Sequence, residues 1–307
     1  MTLDDCDSIF ELALQSKSES EFRFLIEPLF NHYQILSLEI GRGTIFWRAR
    51  QISEKPYLNL SELDYPPANL AKTGRLNDIN EPCFYISARE ETALAEVEAQ
   101  DGQLIQLAGF RILNEAPIRL AVIGEFSNVQ KNGYMRFPGQ DPDMVIANIL
   151  NGMPHQAALT KLYIDRFFAH VLSDPNASKN GYLFCRALRH SIYSINPSSG
   201  IVFPSVKDSG GFNLAIKAEA SDQSFQNVAC VVVKINKIRK FGMIEFDIVQ
   251  SALHLDDNNN FIWKDQSNPY EIGIYGLTKD EYEAALIATP NSNTLLNITR
   301  SNNYRKS

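Results

Sequence analysis

The sequence has little cysteine, no cysteine pair at metal-binding spacing and no long apolar run. Its 307 residues include four scattered cysteines, which form neither a CxxC zinc motif nor a disulfide framework: Cys6, Cys83, Cys185 and Cys230. The longest apolar runs, such as residues 228–233, fall far short of the roughly 18 residues that a membrane-spanning helix needs. We therefore predict small core cysteines and no association with a membrane.

The chain also lacks an excess of basic residues. Its 29 Lys and Arg residues against 36 Asp and Glu residues leave a formal net charge of −7, the wrong sign for binding nucleic-acid phosphates. Residues 1–7 are acidic and show neither the basic nor the apolar block of a signal peptide. These features predict a cytoplasmic protein that does not bind nucleic acid.

The common nucleotide-binding and hydrolase motifs are missing as well. The chain contains no GxGxxG after a strand, no GxxxxGK[ST], no HExxH and no GxSxG. The five histidines are dispersed, and a lone histidine is more often structural than a ligand. We therefore predict no metal site.

Hydrophobic periodicity places helices and strands along the chain. It predicts helices over residues 7–36, 87–100, 144–150, 157–172 and 182–192, and strands over 44–50, 83–86, 104–113, 119–126, 228–235 and 243–249. Residues 200–215 fit a strand, a loop and a second strand. Residues 56–80 form a long polar connection of the kind that is often functional.

Two of these elements hold candidate functional side chains. Alternation in the strand over 44–50 places Arg48 and Arg50 on one face, where they meet either solvent or an anion. Ser87 and Glu90 have the spacing of a capping box at the start of the next helix. On that helix Glu96 has small neighbours, so another backbone or a ligand is able to approach it closely.

Taken singly, each candidate has a plain structural interpretation. Glu96 fits the solvated face of a helix, Arg75 an exposed turn and Ser205 the end of a strand. Their order along the chain is more informative. The ordered segments FWRA at 46–49, GRLN at 74–77, FYIS at 84–87, ETALAEV at 91–97, and GIVFPS at 200–205 with GGFNL at 210–214 resemble the RES domain family.

That family is named for an arginine, a glutamate and a serine, which correspond here to Arg75, Glu96 and Ser205, over a match of about residues 44–217. The resemblance implies an α+β fold similar to the ADP-ribosyltransferase core, with two packed β-sheets and flanking helices. It also implies cleavage of NAD at the bond between nicotinamide and ribose, with water or inorganic phosphate as the acceptor. NAD is then a substrate and no cofactor is expected. Several family members are toxins of toxin–antitoxin pairs that deplete NAD as glycohydrolases or phosphorylases.

The resemblance assigns a role to each matching residue. Arg48 and Arg75 would hold the pyrophosphate of NAD, Tyr85 would stack on the nicotinamide or ribose, and Asn77 belongs to the same NAD-binding set. Glu96 would stabilise the positive charge that develops on the ribose, and Ser205 would orient the substrate or Glu96. Some relatives carry an aromatic residue directly after the first arginine, where this chain has Ala49.

The length exceeds that of one such module. We predict a helical N-terminal region over residues 1–40, a catalytic core over 41–217, a strand-rich C-terminal extension packed on the core over 218–290 and a disordered tail over 291–307. The extensions would have a structural, inhibitory or dimerising role. Restraint of NAD consumption would come from an antitoxin protein or from these extensions.

Two other functions remain open at this point. The same pocket would serve an ADP-ribosyltransferase that modifies a macromolecule. A catalytically idle module that binds NAD or a protein partner is the third reading, and the complete set of Arg75, Glu96 and Ser205 argues against it.

Overall fold

The N-terminal region forms two helices and a short 3-10 turn. The structure is a computed structural model and describes residues 1–43, 45–113, 116–135, 144–240 and 243–265. Helix α1 spans Leu3–Gln15 and α2 spans Glu19–Ile26, followed by the 3-10 turn at Glu27–Asn31. The single helix predicted over residues 7–36 is therefore wrong in its continuity. The Ser18 side chain accepts a hydrogen bond from the Glu21 amide, which caps a new helix.

The remaining elements alternate between helices and strands. The further helices are α3 Glu90–Glu96, α4 Glu125–Asn132, α5 Val145–Asn151, α6 His155–Leu172, α7 Leu183–Ile195 and α8 Ala218–Ser224. The strands are β1 Leu36–Ile40, β2 Ile45–Ile52, β3 Cys83–Ser87, β4 Leu104–Ile112, β5 Ile118–Val122, β6 Gly200–Pro204, β7 Phe212–Lys217, β8 Phe225–Ile238, β9 Ile244–Ala252 and β10 Lys264–Asp265. This mixture confirms the predicted α+β class.

The strands lie side by side in the order β1-β5-β6-β7-β3-β2-β4-β8-β9-β10. Neighbours are antiparallel except β5 and β6, which are parallel. Within the described residues, β2 and β3 pair at one position only, where Trp47 lies opposite Ser87. The sheet therefore consists of two halves, which are joined at a single row formed by the Trp47–Ser87 pair.

The inner faces of the two halves pack against each other. The Phe84 ring on β3 lies 4.9 Å from the ring of Phe110 on β4 and 5.9 Å from that of Phe225 on β8. One buried apolar cluster includes residues from both halves. Because each half covers the other's apolar face, the region between β2 and β3 can open without exposing the core.

A helical layer covers the outer face of the half that contains β6. Phe10 of α1 stacks on Phe167 of α6 with ring centroids 4.0 Å apart, and Phe22 of α2 stacks on Phe184 of α7 at 5.0 Å. The N-terminal helices are therefore part of this apolar layer. The predicted division at residues 40 and 217 stays a prediction, and the predicted tail at 291–307 lies outside the described residues.

All four cysteines are buried and free, which confirms their prediction as core residues. Burial raises the pKa of Cys83 and of Cys230 to about 12, so both are thiols at neutral pH. Among the helices that the structure describes, none combines the length and the apolar character needed to cross a membrane.

A buried carboxylate joins the N-terminal region to α4 and α6. Asp165 on α6 accepts hydrogen bonds from the Tyr33 hydroxyl at 2.7 Å and from the amides of Gly124 at 3.0 Å and Ser127 at 2.8 Å. The two amides belong to the start of α4, whose unpaired N–H groups favour an anion. Burial raises the pKa of Asp165.

Replacement of this carboxylate tests its structural role. We expect Asp165→Asn to lower the free energy of unfolding by about 1 to 3 kcal/mol, because the amide NH2 would face a hydrogen-bond donor. Urea denaturation measures the loss. Asp257 is exposed, so Asp257→Asn makes the same substitution without removing a buried contact and should leave the urea midpoint unchanged. Equal midpoints for both variants would contradict the assignment.

Candidate functional site

A cavity of about 550 Å³ lies where β2 and β3 separate. Its walls come from these two strands, from α3, from the loop after α6 and from the loop after β6. Beyond the Trp47–Ser87 pair the two strands diverge, so the side chains of Arg48 and Arg50 reach the opening. The volume is typical of sites for small molecules and cofactors.

Arg48 replaces part of the missing strand pairing. Its Nη1 donates a hydrogen bond of 2.7 Å to the carbonyl oxygen of Tyr85 on β3, and its guanidinium lies 5.7 Å from the centroid of the Phe84 ring. Burial lowers the pKa of Arg48 to about 10, and the nearby Arg50 contributes to this shift. The guanidinium therefore remains charged at neutral pH.

Two further arginines line the same cavity. Arg75 Nη1 donates to the carbonyl oxygen of Asp174 at 3.0 Å, and its guanidinium lies 5.6 Å from the Tyr182 ring. Arg50 lies 5.5 Å from the Tyr57 ring. Among the described residues, none of the three arginines has a carboxylate oxygen within 4.0 Å. Three guanidinium groups without a carboxylate partner favour an anionic ligand.

The loop that presents Arg75 is held by Tyr85 and Asn77. The Tyr85 hydroxyl donates to Asn77 Oδ1 at 3.0 Å and accepts from the Leu76 amide at 2.7 Å. Asn77 is 4% exposed, and its Nδ2 donates to three carbonyl oxygens of the loop. A Cβ on Gly74 would lie 2.3 Å from Asn77 Oδ1, so the loop needs glycine there.

Tyr85 and Asn77, two of the four residues predicted to bind NAD, take different places at the cavity. The Tyr85 side chain lines the cavity, whereas Asn77 lies behind the wall and does not line it. Its hydrogen bonds fix the loop conformation. Asn77 therefore supports the loop that carries Arg75 and holds the Tyr85 hydroxyl.

An ion network lies beneath the same loop. Asp78 pairs with Arg186 at 2.5 Å, with Arg189 at 3.2 Å and with His190 at 3.0 Å, all on α7. Arg186 also pairs with Glu19 of α2. Although burial opposes it, the hydrogen bond from Arg186 lowers the pKa of Asp78. Sequence patterns did not indicate this network, because its acidic residues lie more than 100 positions from their partners on α7.

Glu96 is the last residue of α3, and its carboxylate contacts one side chain from the loop after β6 and one from β7. Its Oε1 accepts hydrogen bonds of 2.6 Å from the Ser205 hydroxyl and of 2.6 Å from Asn213 Nδ2. The Ser205 oxygen in turn accepts from the amides of Lys207 at 3.1 Å and Asp208 at 3.0 Å. Because two amides occupy its lone pairs, Ser205 orients Glu96 and is unsuited to act as a nucleophile.

The loop after β6 is fastened to α3 by a second carboxylate. Asp208 Oδ2 accepts from Thr92 Oγ1 at 2.5 Å and from Arg89 Nη2 at 2.8 Å. Lys207 forms an ion pair with Glu98 at the cavity wall. These contacts hold Ser205 at a constant distance from the end of the helix.

The capping box predicted at Ser87 and Glu90 is wrong. Ser87 is the last residue of β3, and its hydroxyl donates to Asn213 Oδ1 at 2.7 Å. Helix α3 begins at Glu90, after Arg89, and ends at Glu96. The serine is held in the sheet by its neighbours on both sides, which the local spacing does not reveal.

Asn213 and Ser87 are thus contacts of the site that the residue-by-residue assignment left out. Both lie in segments that contributed to the family resemblance, FYIS at 84–87 and GGFNL at 210–214. Membership of these segments was the sequence feature that could have identified both residues. The sequence did not show that β3 pairs with β7 so that Ser87 lies opposite Asn213.

Comparison with known families gives a match. A model of the RES domain matches residues 45–234, which is more than half of the chain. A search of curated proteins finds no match to this chain. The family is associated with NAD-related enzymatic activity, and the domain is consistent with an NAD-related, toxin-like module. The matched span contains the strands, helices and loops that surround the cavity, and the chain belongs to the RES domain family.

Proposed function

We propose that this RES domain cleaves NAD at the bond between nicotinamide and ribose, with water or phosphate as the acceptor. One observation supports this function above the others. The cavity combines Glu96, a carboxylate oriented by hydrogen bonds, with three guanidinium groups that have no carboxylate partner in the part of the chain that the structure describes. The parted, packed sheet halves also agree with an ADP-ribosyltransferase-like core.

The arginines supply the attraction for the substrate. NAD carries two negative charges on its pyrophosphate, and planar guanidinium groups match phosphate oxygens in charge and geometry. The protein as a whole has a net charge of −7, so this attraction is local to the cavity. Arg48 and Arg75 hold the pyrophosphate in this proposal.

Glu96 acts on the reacting bond. Loss of nicotinamide leaves positive charge on the ribose ring, which a nearby carboxylate stabilises. Water or phosphate then attacks the ribose carbon and completes the substitution. The chain needs no nucleophile of its own, in keeping with the orienting role of Ser205.

Aromatic rings complete the binding surface. Ala49 stands where some relatives have an aromatic residue, and it lines the cavity without offering a ring. Trp47, Tyr85 and Tyr182 also line the cavity. Aromatic residues suit the nicotinamide and adenine rings of NAD.

We further propose a toxin or stress-defence role in the cytoplasm, restrained by a separately encoded antitoxin protein. Among the described residues, none from 1–40 and none from 218–265 lines the cavity. The described parts of the extensions therefore leave the cavity accessible.

Glu96 provides the first test. The purified protein should release nicotinamide from NAD, and Glu96→Gln should lower kcat by about 100-fold or more, the usual cost of losing an electrostatic stabiliser. The melting temperature should change little, because Glu96 is exposed. Chromatography of nicotinamide measures the rate.

Glu91→Gln is the matched control, because Glu91 is exposed on the same helix and does not line the cavity. It should retain the wild-type rate. Full turnover by Glu96→Gln would refute the assignment of the carboxylate.

Arg75 provides a test of binding. We expect Arg75→Ala to raise the KM for NAD by about 10- to 100-fold, the effect of one lost hydrogen bond to a charged group. Arg119→Ala removes an exposed arginine on β5 and should leave KM unchanged. Steady-state kinetics measures both, and equal KM values would argue against a phosphate-binding role.

Product analysis decides the acceptor. Hydrolysis yields ADP-ribose, whereas phosphorolysis yields ADP-ribose-1''-phosphate and accelerates as phosphate is added. Mass spectrometry of reactions with and without phosphate separates the two. Label transferred from NAD to protein or nucleic acid in a cell extract would instead favour an ADP-ribosyltransferase.

A further inference from the structure

We propose that Asn213 is a positioning residue for Glu96, and that it acts together with Ser87. This inference rests on the proposed function, since it concerns how the carboxylate is presented to the substrate. Asn213 is 7% exposed on β7 and lines the cavity. Its Nδ2 lies 2.6 Å from Glu96 Oε1.

The orientation of the Asn213 amide follows from its two partners. A carboxylate only accepts hydrogen bonds, so the NH2 end of the amide faces Glu96. The carbonyl end then faces Ser87, whose hydroxyl donates to Oδ1 at 2.7 Å. The reversed amide would place oxygen against oxygen at Glu96. The two hydrogen bonds therefore form a relay in which Ser87 donates to Asn213 and Asn213 donates to Glu96.

This relay lies at the row that joins the two halves of the sheet. Ser87 is opposite Asn213 on one side and opposite Trp47 on the other. Asn213 thus ties the end of α3 to the position where the two halves of the sheet are paired.

Both donors to Glu96 use the same oxygen. Ser205 and Asn213 each donate to Oε1, and among the described residues no hydrogen bond reaches Oε2. The pair fixes the plane of the carboxylate and leaves Oε2 for a ribose hydroxyl or for the positive charge that develops on the ribose. Positioning of this kind affects kcat more than KM.

Asn213→Asp tests the relay, since aspartate keeps the size and the acceptor towards Ser87 but loses the donor towards Glu96. We expect kcat at pH 8 to fall by about 10- to 100-fold with a KM within about twofold of wild type, the effect of one charge-assisted hydrogen bond. Activity should recover as the pH falls towards 5, because a proton shared by the two carboxyl groups restores a donor. Asn132→Asp, an exposed change of the same charge, should leave kcat and its pH profile as in wild type.

Ser87→Ala removes only the bond that orients the amide. It should lower kcat in the same direction by a smaller factor without the recovery at low pH. Wild-type kcat and pH profile in both Asn213→Asp and Ser87→Ala would overturn the proposal. A loss of activity in Asn213→Asp that is equal at every pH would also overturn it, since that indicates a structural defect alone.

A measurement on the hydrogen bond itself separates this inference from the proposed function. The side-chain amide signal of Asn213 in a nitrogen-15 NMR spectrum is identified by its absence in Asn213→Asp. We expect its protons to exchange slowly with solvent in the wild type and faster in Glu96→Ala. If the protein shows slow exchange but no NAD turnover, the proposed function is refuted and the hydrogen bond to Glu96 is still supported. If the protein turns NAD over but the exchange is fast, this inference alone is refuted.

Discussion

The separation of β2 from β3 is the feature on which the site depends. Beyond the pair of Trp47 and Ser87 the strands separate. The separation does not expose the apolar core, because the two halves of the sheet pack against each other. Parted strands leave backbone groups without strand partners, and Arg48 compensates by donating to the Tyr85 carbonyl. The hydrogen bond that satisfies this carbonyl therefore also places a half-buried cation at the cavity wall. One constraint thereby produces both the cavity and part of its charge.

Hydrogen bonds to neutral carbonyl groups hold the arginines Arg48 and Arg75 at the cavity. Arg75 is held by the Asp174 carbonyl and an aromatic ring, and Arg48 by another carbonyl, so neither is neutralised. Two nearby carboxylates pair with other arginines: Asp78, in the loop of Arg75, pairs with Arg186, and Asp208 pairs with Arg89. An acidic protein can in this way maintain a local site for an anion.

The N-terminal helices contribute to the site from a distance. Glu19 of α2 pairs with Arg186, which pairs with Asp78 in the loop that presents Arg75. Asp165 and Tyr33 join the same region to α4 and α6. These contacts give the N-terminal region a structural part in holding the cleft, although none of its described residues lines the cavity.

The sequence by itself determined the α+β class, most of the helices and strands with clear periodicity, the family and part of the cavity lining, including Arg48, Arg75 and Glu96. It did so because those features are local patterns or ordered segments, as with Arg48 and Glu96. It did not predict α4, where a strand was expected to continue to residue 126, nor the end of β3 at Ser87. Only the tertiary structure placed Ser205 and Asn213 on one oxygen of Glu96 and moved Asn77 behind the wall. The position of Asn77 depends on hydrogen bonds within its loop and to Tyr85. The contacts of Glu96 join residues more than 100 positions apart and depend on the pairing of β3 with β7, which no local pattern encodes.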